Sequence, residues 1–202
     1  MLLVRLFRHF RQMYGYFAVS ALLFAAGIWY GMQDPPAFRE LILSQLEGLQ
    51  DAARQIGELE NEQLGMFAFI FLNNAIKSAI VVYLGLLFGL FPLVFLLING
   101  MVIGFLLFVM REQGADVADV LLYGILPHGI LELPAIVIAC AYGLKLGVLA
   151  MRRLAGRDGG ELGYTLRLTL PLILFLAAVL LAAALVEATV TPWLMRQHFT
   201  AV

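Results

Sequence analysis

Charged residues are scarce in this chain of 202 residues. They make up 13% of the sequence, against about 25% in an ordinary soluble domain, and apolar residues make up 62% against about 45–50%. Such a composition leaves too little polar surface to coat a particle in water, so lipid has to cover part of the protein. The long apolar runs predict an all-α polytopic membrane protein, because helices satisfy their own backbone in lipid.

Other scarcities exclude several kinds of function. The single cysteine, Cys140, permits no intrachain disulfide and no cysteine-based metal site, and the scattered His9, His128 and His198 do not predict a zinc site. The net charge of −1 leaves no basic excess for nucleic acid. A glycine-rich phosphate loop with its lysine is also missing. We therefore expect no cofactor, no metal, no catalytic residue and no enzymatic activity.

The first 32 residues predict a basic foot followed by a first span. Arg5, Arg8 and Arg11 alternate with apolar residues, and residues 14–31 carry no charge. Eighteen such residues suffice to cross a hydrocarbon layer about 30 Å thick. Small residues at 25–27 also allow a cleaved signal peptide. We favour an uncleaved helix whose amphipathic foot lies on the inner leaflet.

An amphipathic helix is predicted at residues 35–62. Apolar residues recur there at spacings of three and four, which predicts one apolar stripe, and Glu40, Glu47, Asp51, Glu58 and Glu60 mark the other face. Two interpretations stay open. The helix is either a solvated element packed on the membrane domain or a docking surface for a partner helix.

The remaining apolar stretches are too long for single spans. Residues 66–110 contain one charge, Lys77, and would form a helix about 67 Å long. We therefore predict a break near 85–92 between spans at about 66–85 and 93–110. Residues 117–151 also exceed one span, and Pro127-His128-Gly129 predicts a break near 117–129, with an interfacial or re-entrant helix before a full span. A last span within 167–190 gives five spans in a single membrane domain.

Lysine and arginine counts predict the orientation. Seven arginines fall on the side of the N-terminus and four on the other side. We expect a multi-pass protein of the inner or plasma membrane, with a cytoplasmic N-terminus and an extracytoplasmic C-terminus.

Four Gly-x-x-x-Gly pairs predict close helix packing. They are Gly27/Gly31, Gly85/Gly89, Gly100/Gly104 and Gly143/Gly147. Small residues let helix backbones approach each other in lipid. The pairs predict a tight bundle surrounded by membrane lipids, and a homo-oligomer, with a dimer favoured.

Polar residues inside the spans form the candidate site, which consists of Asn73, Lys77, Asn99, His128 and Glu132. A charge at the bilayer centre costs at least about 2.5–3.5 kcal/mol. Lys77, about 16 Å into its predicted helix, therefore needs a partner, and we predict Glu132. The cluster is either a buried polar staple or a polar cavity for an ion, a proton or a lipid head group. Lys145 is expected to extend toward the inner interface.

Three motifs in order resemble the stage II sporulation protein M family. They are Asn99-Gly100 with Gly104, then Leu126-Pro127-His128-Gly129-x-x-Glu132-x-Pro134, then Glu187-Ala188-x-x-Thr191-Pro192. The resemblance covers about residues 10–195. It implies a small integral membrane protein and marks Gly100, Pro127, Gly129, Pro134 and Glu187 beside the polar residues above.

The resemblance implies a non-enzymatic scaffold. The namesake works with two partner membrane proteins and organises cell-wall hydrolysis, so we expect a scaffold or subunit of a cell-envelope complex with envelope or transporter partner proteins. The alternative is a transporter or channel-like protein that uses a polar site around His128, Glu132 and Lys77.

Overall fold

The computed structural model describes residues 2–58, 60–114, 116–157 and 159–199 of the chain, although a few side chains within these ranges, that of His128 among them, are outside the description. The described ranges contain nine α-helices and one π-helical segment. They are α1 Leu2–Phe10, α2 Tyr14–Gly31, α3 Pro36–Gly57, α4 Glu62–Leu84, α5 Leu90–Glu112, α6 Val117–Asp119, the π-helical segment Val120–Ile125, α7 Leu126–Leu154, α8 Glu161–Arg167 and α9 Thr169–Phe199.

Five helical stretches are long and apolar enough to cross a membrane, which confirms the predicted all-α membrane fold. They are Tyr14–Gly31, Glu62–Leu84, Leu90–Glu112, Gly129–Leu154 and Glu161–Leu194. The structure is 87% helical, and the described residues include no strand. The α4–α5 turn reverses the chain, α2 runs parallel to α5, and Gln63 at the start of α4 donates a hydrogen bond to the carbonyl oxygen of Ala188 near the end of α9. One end of the bundle carries the α4–α5 turn. This end is called the hairpin end below.

Glycine pairs hold α2 and α5 together in parallel. A Cβ on Gly27 would lie 2.6 Å from the carbonyl oxygen of Leu97, and a Cβ on Gly100 would lie 3.0 Å from the Cα of Gly27. Gly31 and Gly104 meet backbone atoms of the opposite helix in the same way. At such distances a side chain has no room, so the two backbones are in direct contact.

The other two glycine pairs hold the α4–α5 turn against α7. A Cβ on Gly147 would lie 2.6 Å from the Cα of Gly89, and Gly85 meets the backbone of Gly143. Gly89 also has a φ of 75°, which a residue with a side chain adopts only at a cost. All four pairs are therefore used within one chain. The prediction of a homo-oligomer stays a prediction, and these pairs no longer support it.

The breaks fall close to the predicted positions, with two differences. Helix α5 begins at Leu90, before Pro92 rather than after it, because a first turn does not use the N–H that proline lacks. Likewise, Pro127 and Gly129 lie in the first turns of α7 and do not separate two helices. The irregular backbone is the preceding π-helical segment Val120–Ile125.

Helix α7 lies at the centre of the bundle. In its most apolar window 61% of residues are buried, against 17–39% in the other four spans. Ala139, Tyr142 and Leu146 of α7 pack with Leu172 and Leu176 of α9 in the main core. Helix α4 packs mainly on α7 and α9, whereas α5 packs mainly on α2. Beyond the turn that joins them, α4 and α5 therefore have few contacts with each other.

Helix α3 packs on the side of the bundle where α4 and α5 have few contacts with each other. Its buried Ile42 contacts Met101 and Phe105 of α5, while most of its other residues are exposed. Asp34, just before α3, forms an ion pair with Arg39 at 3.3 Å. The helix thus has one apolar stripe against the bundle and an exposed acidic face, as an amphipathic helix requires.

We predict that Gly27→Ala lowers the stability of the fold whereas Gly15→Ala does not. Both glycines lie in α2, but an added Cβ at Gly15 would meet no atom of the described residues within 4 Å. Overpacking at Gly27 should cost about 1–3 kcal/mol, and Gly15→Ala should gain up to about 1 kcal/mol from helix propensity. Thermal unfolding of the two purified variants in detergent measures the difference. Equal melting temperatures would contradict the packing described here.

Candidate functional site

Polar residues from three helices lie at one height in the middle of the bundle. Gly85 of the α4–α5 turn contacts Gly143 of α7, so these two residues mark the same height in the bundle. Asn74 lies eleven residues before Gly85, and Glu132 lies eleven residues before Gly143, so both side chains lie about 16 Å from the hairpin end. Asn99 lies ten residues after Gly89, which is about 15 Å along α5. This height is the centre of a hydrocarbon layer about 30 Å thick.

These residues line one cavity of about 230 Å³, which we call the chamber. Four spans contribute seven polar side chains: α4 gives Asn73, Asn74, Lys77 and Ser78, α5 gives Asn99, α7 gives Glu132, and α9 gives Glu187. Gln45 of α3 also reaches it. At about 30 Å³ per water, the chamber has room for roughly seven water-sized groups.

A larger space adjoins the chamber between α4 and α5, and we call it the groove. It measures about 570 Å³ and shares Gln45, Phe69, Asn73, Lys77, Phe95 and Asn99 with the chamber. Residues 44–52 of α3 cover part of it. A third space of about 220 Å³, mostly apolar, adjoins Asn99 and Glu132 on the side of α2.

The predicted Lys77–Glu132 ion pair does not form. Both residues line the chamber, but among the described side chains none forms an ion pair or hydrogen bond with Lys77, which is exposed at the groove. Helix α4 begins four residues earlier than predicted, at Glu62, and ends at Leu84. Because α4 ends at Leu84, Lys77 is only about 10 Å from the hairpin end of its helix, whereas the predicted depth was counted from the other end of the helix.

Hydrogen bonds orient the asparagine side chains at the chamber. The Asn99 amide nitrogen donates to the carbonyl oxygen of Phe95 at 2.8 Å, one turn earlier in α5. The Asn73 amide nitrogen donates to Oδ1 of Asn74 at 3.4 Å. One of the two side-chain N–H donors of Asn99 is therefore satisfied by its own helix, and the side-chain oxygen is an acceptor for a bound group.

The residues marked by the resemblance separate into two groups. Glu187 and Gly129 line the cavities, whereas Gly100 packs against α2. Pro134 lies inside α7 with an exposed ring, and Pro127 lies in the first turn of that helix. The side chain of His128 is outside the described part, so its place at the site stays a prediction.

A second polar cluster, at the hairpin end, includes an ion pair that the sequence did not predict. Lys145 is buried instead of extending to the interface, and its Nζ lies 3.1 Å from Oε1 of Glu161. Arg152 lies 3.9 Å from the other oxygen of Glu161. The only sequence signal for this pair was the acidic residue at the start of α8, which is distant from Lys145 in the chain.

His9 of α1 inserts its ring into this second cluster. The ring is 2% exposed and packs against Tyr142 and Tyr164 at centroid distances of 5.8 and 5.7 Å. Burial, and next the positive charge of Lys145, lower the pKa of His9 to about 4, against the opposing effect of Glu161. The imidazole is therefore neutral at physiological pH and fixes α1 to the bundle by packing.

The fold and its polar interior define the class of this protein: a five-span α-helical membrane protein with polar side chains around a cavity at mid-membrane height. The family follows from the sequence match. The family model of stage II sporulation protein M matches residues 13–192, and the chain belongs to this family. Neither the curated proteins nor the solved structures give a significant match to the chain.

We predict that stability falls as the pH drops from about 6.5 to about 4, and that His9 causes part of the loss. In this interval the unfolded chain binds a proton at His9 that the folded chain does not bind, so protonation favours unfolding. His9→Phe keeps a ring between the two tyrosines and removes the titration. Melting temperatures near pH 7 and pH 5 should differ less in the variant, and an unchanged difference would contradict the assignment.

Proposed function

We propose that this protein is a non-enzymatic, transport-class membrane protein that binds a polar group of its substrate in the chamber. One observation carries the proposal: seven polar side chains from four spans converge on a single cavity halfway across the bundle. Polar and ionisable residues at that depth are costly in lipid and mark ion or substrate pathways in membrane proteins.

The charges around the chamber favour a bound group over a dry polar staple. A staple would satisfy its charges by direct pairing, yet the described side chains leave Lys77 without an ion pair. The carboxylates Glu132 and Glu187 reach the same cavity from two other helices. A cavity with one cation and two carboxylates offers contacts to water or to a substrate carrying charge.

We further propose that the hairpin end faces the cytoplasm. It carries Arg5, Arg8 and Arg11 of the foot together with Arg152, Arg153, Arg157 and Arg167, and the positive-inside rule assigns such an end to the cytoplasm. In the inner or plasma membrane of the cell, α3 would then lie on the outer side.

Cysteine labelling in membrane vesicles tests whether the chamber is open to water. Cys140, the single native cysteine, is buried in the core and is replaced by alanine. In this background Asn74→Cys should react with a small charged thiol reagent, because Asn74 lines the chamber. Ile76→Cys, two residues further in α4 and 53% exposed toward lipid, is the matched control and should stay unreacted.

An unreactive Asn74→Cys in a folded protein would overturn the transport-class proposal in favour of a dry staple. Cysteines introduced into the same protein without Cys140 also test the orientation of the bundle in the membrane. The exposed Gln113→Cys, after α5, should react from the outside, and Gly163→Cys of α8 only from the inside. The reverse result would refute the assignment of the hairpin end to the cytoplasm.

A second function, that of a scaffold in a cell-envelope complex, is favoured by the exposed acidic face of α3. Glu40, Glu47 and Glu58 are exposed, whereas the two arginines of α3 already pair with Asp34 and Asp51. The uncompensated negative charge is complementary to a basic partner segment.

We predict that replacing Glu40, Glu47 and Glu58 together by glutamine abolishes co-purification of a scaffold partner from native membranes. The three side chains are exposed, so the fold and the groove should persist. Arg54→Gln, on the same helix, serves as the control, and quantitative mass spectrometry of the purified complexes is the measurement. An unchanged set of co-purifying proteins would remove the argument for the scaffold.

A further inference from the structure

The groove is open toward the lipid on the flank of α4 and α5. Phe91 and Val94 of its lining are 38% and 43% exposed, and the neighbouring Leu72 and Ile76 on α4 are about half exposed. Aromatic and aliphatic side chains, among them Phe69, Phe95 and Ile98, dominate its wall. A hydrocarbon chain could enter this space from the bilayer without leaving an apolar environment.

Lys77 lies where the groove meets the chamber. It lines both spaces, is exposed, and forms no ion pair with a described side chain. An ammonium group within the hydrocarbon layer is costly unless it meets water or an anion. At about 10 Å from the hairpin end of α4, its side chain is within reach of the phosphates of the adjacent leaflet.

The charges change sign from the groove toward the interior. The groove carries the cation Lys77 and is lined by none of the acidic residues that the structure describes, whereas the chamber adds Glu132 and Glu187. A ligand entering from the lipid therefore meets a positive charge first and two carboxylates next. This order matches a head group with an anionic phosphate near its chains and a cation at its tip.

We propose that the groove and chamber together bind an aminophospholipid of the phosphatidylethanolamine class; this inference rests on the transport-class function proposed above. Its acyl chains lie in the groove, its phosphate contacts Lys77, and its ammonium group donates hydrogen bonds to Glu132, Glu187 and the side-chain oxygen of Asn99. A primary ammonium has three such donors, whereas the trimethylammonium of phosphatidylcholine has none.

Native mass spectrometry of the purified full-length protein tests the proposal. Palmitoyl-oleoyl phosphatidylethanolamine, phosphatidylcholine and phosphatidylglycerol are added separately at equal concentration. The first should be retained about tenfold more strongly than the second, as expected for a charge-assisted hydrogen bond. Glu132→Gln should remove this preference, and Lys77→Met should weaken retention of all three lipids. Leu174→Ala, at an exposed position of α9 outside the groove and chamber, is the control and should change neither.

Equal retention of the three lipids by the wild-type protein would overturn the proposal, whatever the variants do. Displacement of the lipid by free phosphoethanolamine at similar concentration would also overturn it, because the ligand would then be a soluble amine phosphate. The experiments distinguish failure of the lipid proposal from failure of the transport-class proposal. A reactive Asn74→Cys without a lipid preference leaves the transport-class function standing, and an unreactive one removes it independently of any lipid result.

Discussion

Direct backbone contact at eight glycines is the constraint on which the rest of the structure depends. Two pairs join α2 to α5, and two pairs join the α4–α5 turn to α7. Apolar side chains alone cannot select helix partners in lipid, because lipid tails are as apolar as leucine. Close backbone approach can, and here it fixes α5 between α2 and α7. As a result, α5 separates from α4 with increasing distance from their turn, and the groove opens between the two helices.

The groove has a physical consequence for α3. Two spans that separate at mid-height expose polar residues such as Asn73 and Asn99 to the bilayer, which is costly. Helix α3 covers part of this opening with Ser44, Gln45 and Gly48, and is held by Ile42 against α5. An amphipathic helix suits this place because one face presents polar and small side chains to the groove, while the opposite face carries the charged side chains. Its position thus follows from the same separation of α4 and α5.

The helices can largely be predicted from the sequence, whereas the partners that they contact cannot. The bounds of α2, the five spans and the turn near Gly85 follow from apolar runs and helix breakers, which act locally. Which glycine pair meets which depends on tertiary packing, so the pairs were equally compatible with an oligomer. The partner of Lys145 was missed because Glu161 belongs to another helix. Lys77 was expected to be paired because its depth was counted from the start of its helix, although it lies only about 10 Å from the other end.

Asn99 and Gly100 show why packing and site are inseparable in this fold. Adjacent residues of a helix point about 100° apart, so one residue of α5 faces the chamber while the next contacts α2. The Cα of Gly27 lies so close to Gly100 that any shift of α5 to admit a larger residue must also move Asn99 relative to Glu132. Loss of function on changing Gly100 would therefore not distinguish a packing role from a binding role. Asn99→Leu can, because it keeps the α2 contact and removes only the polar group at the chamber.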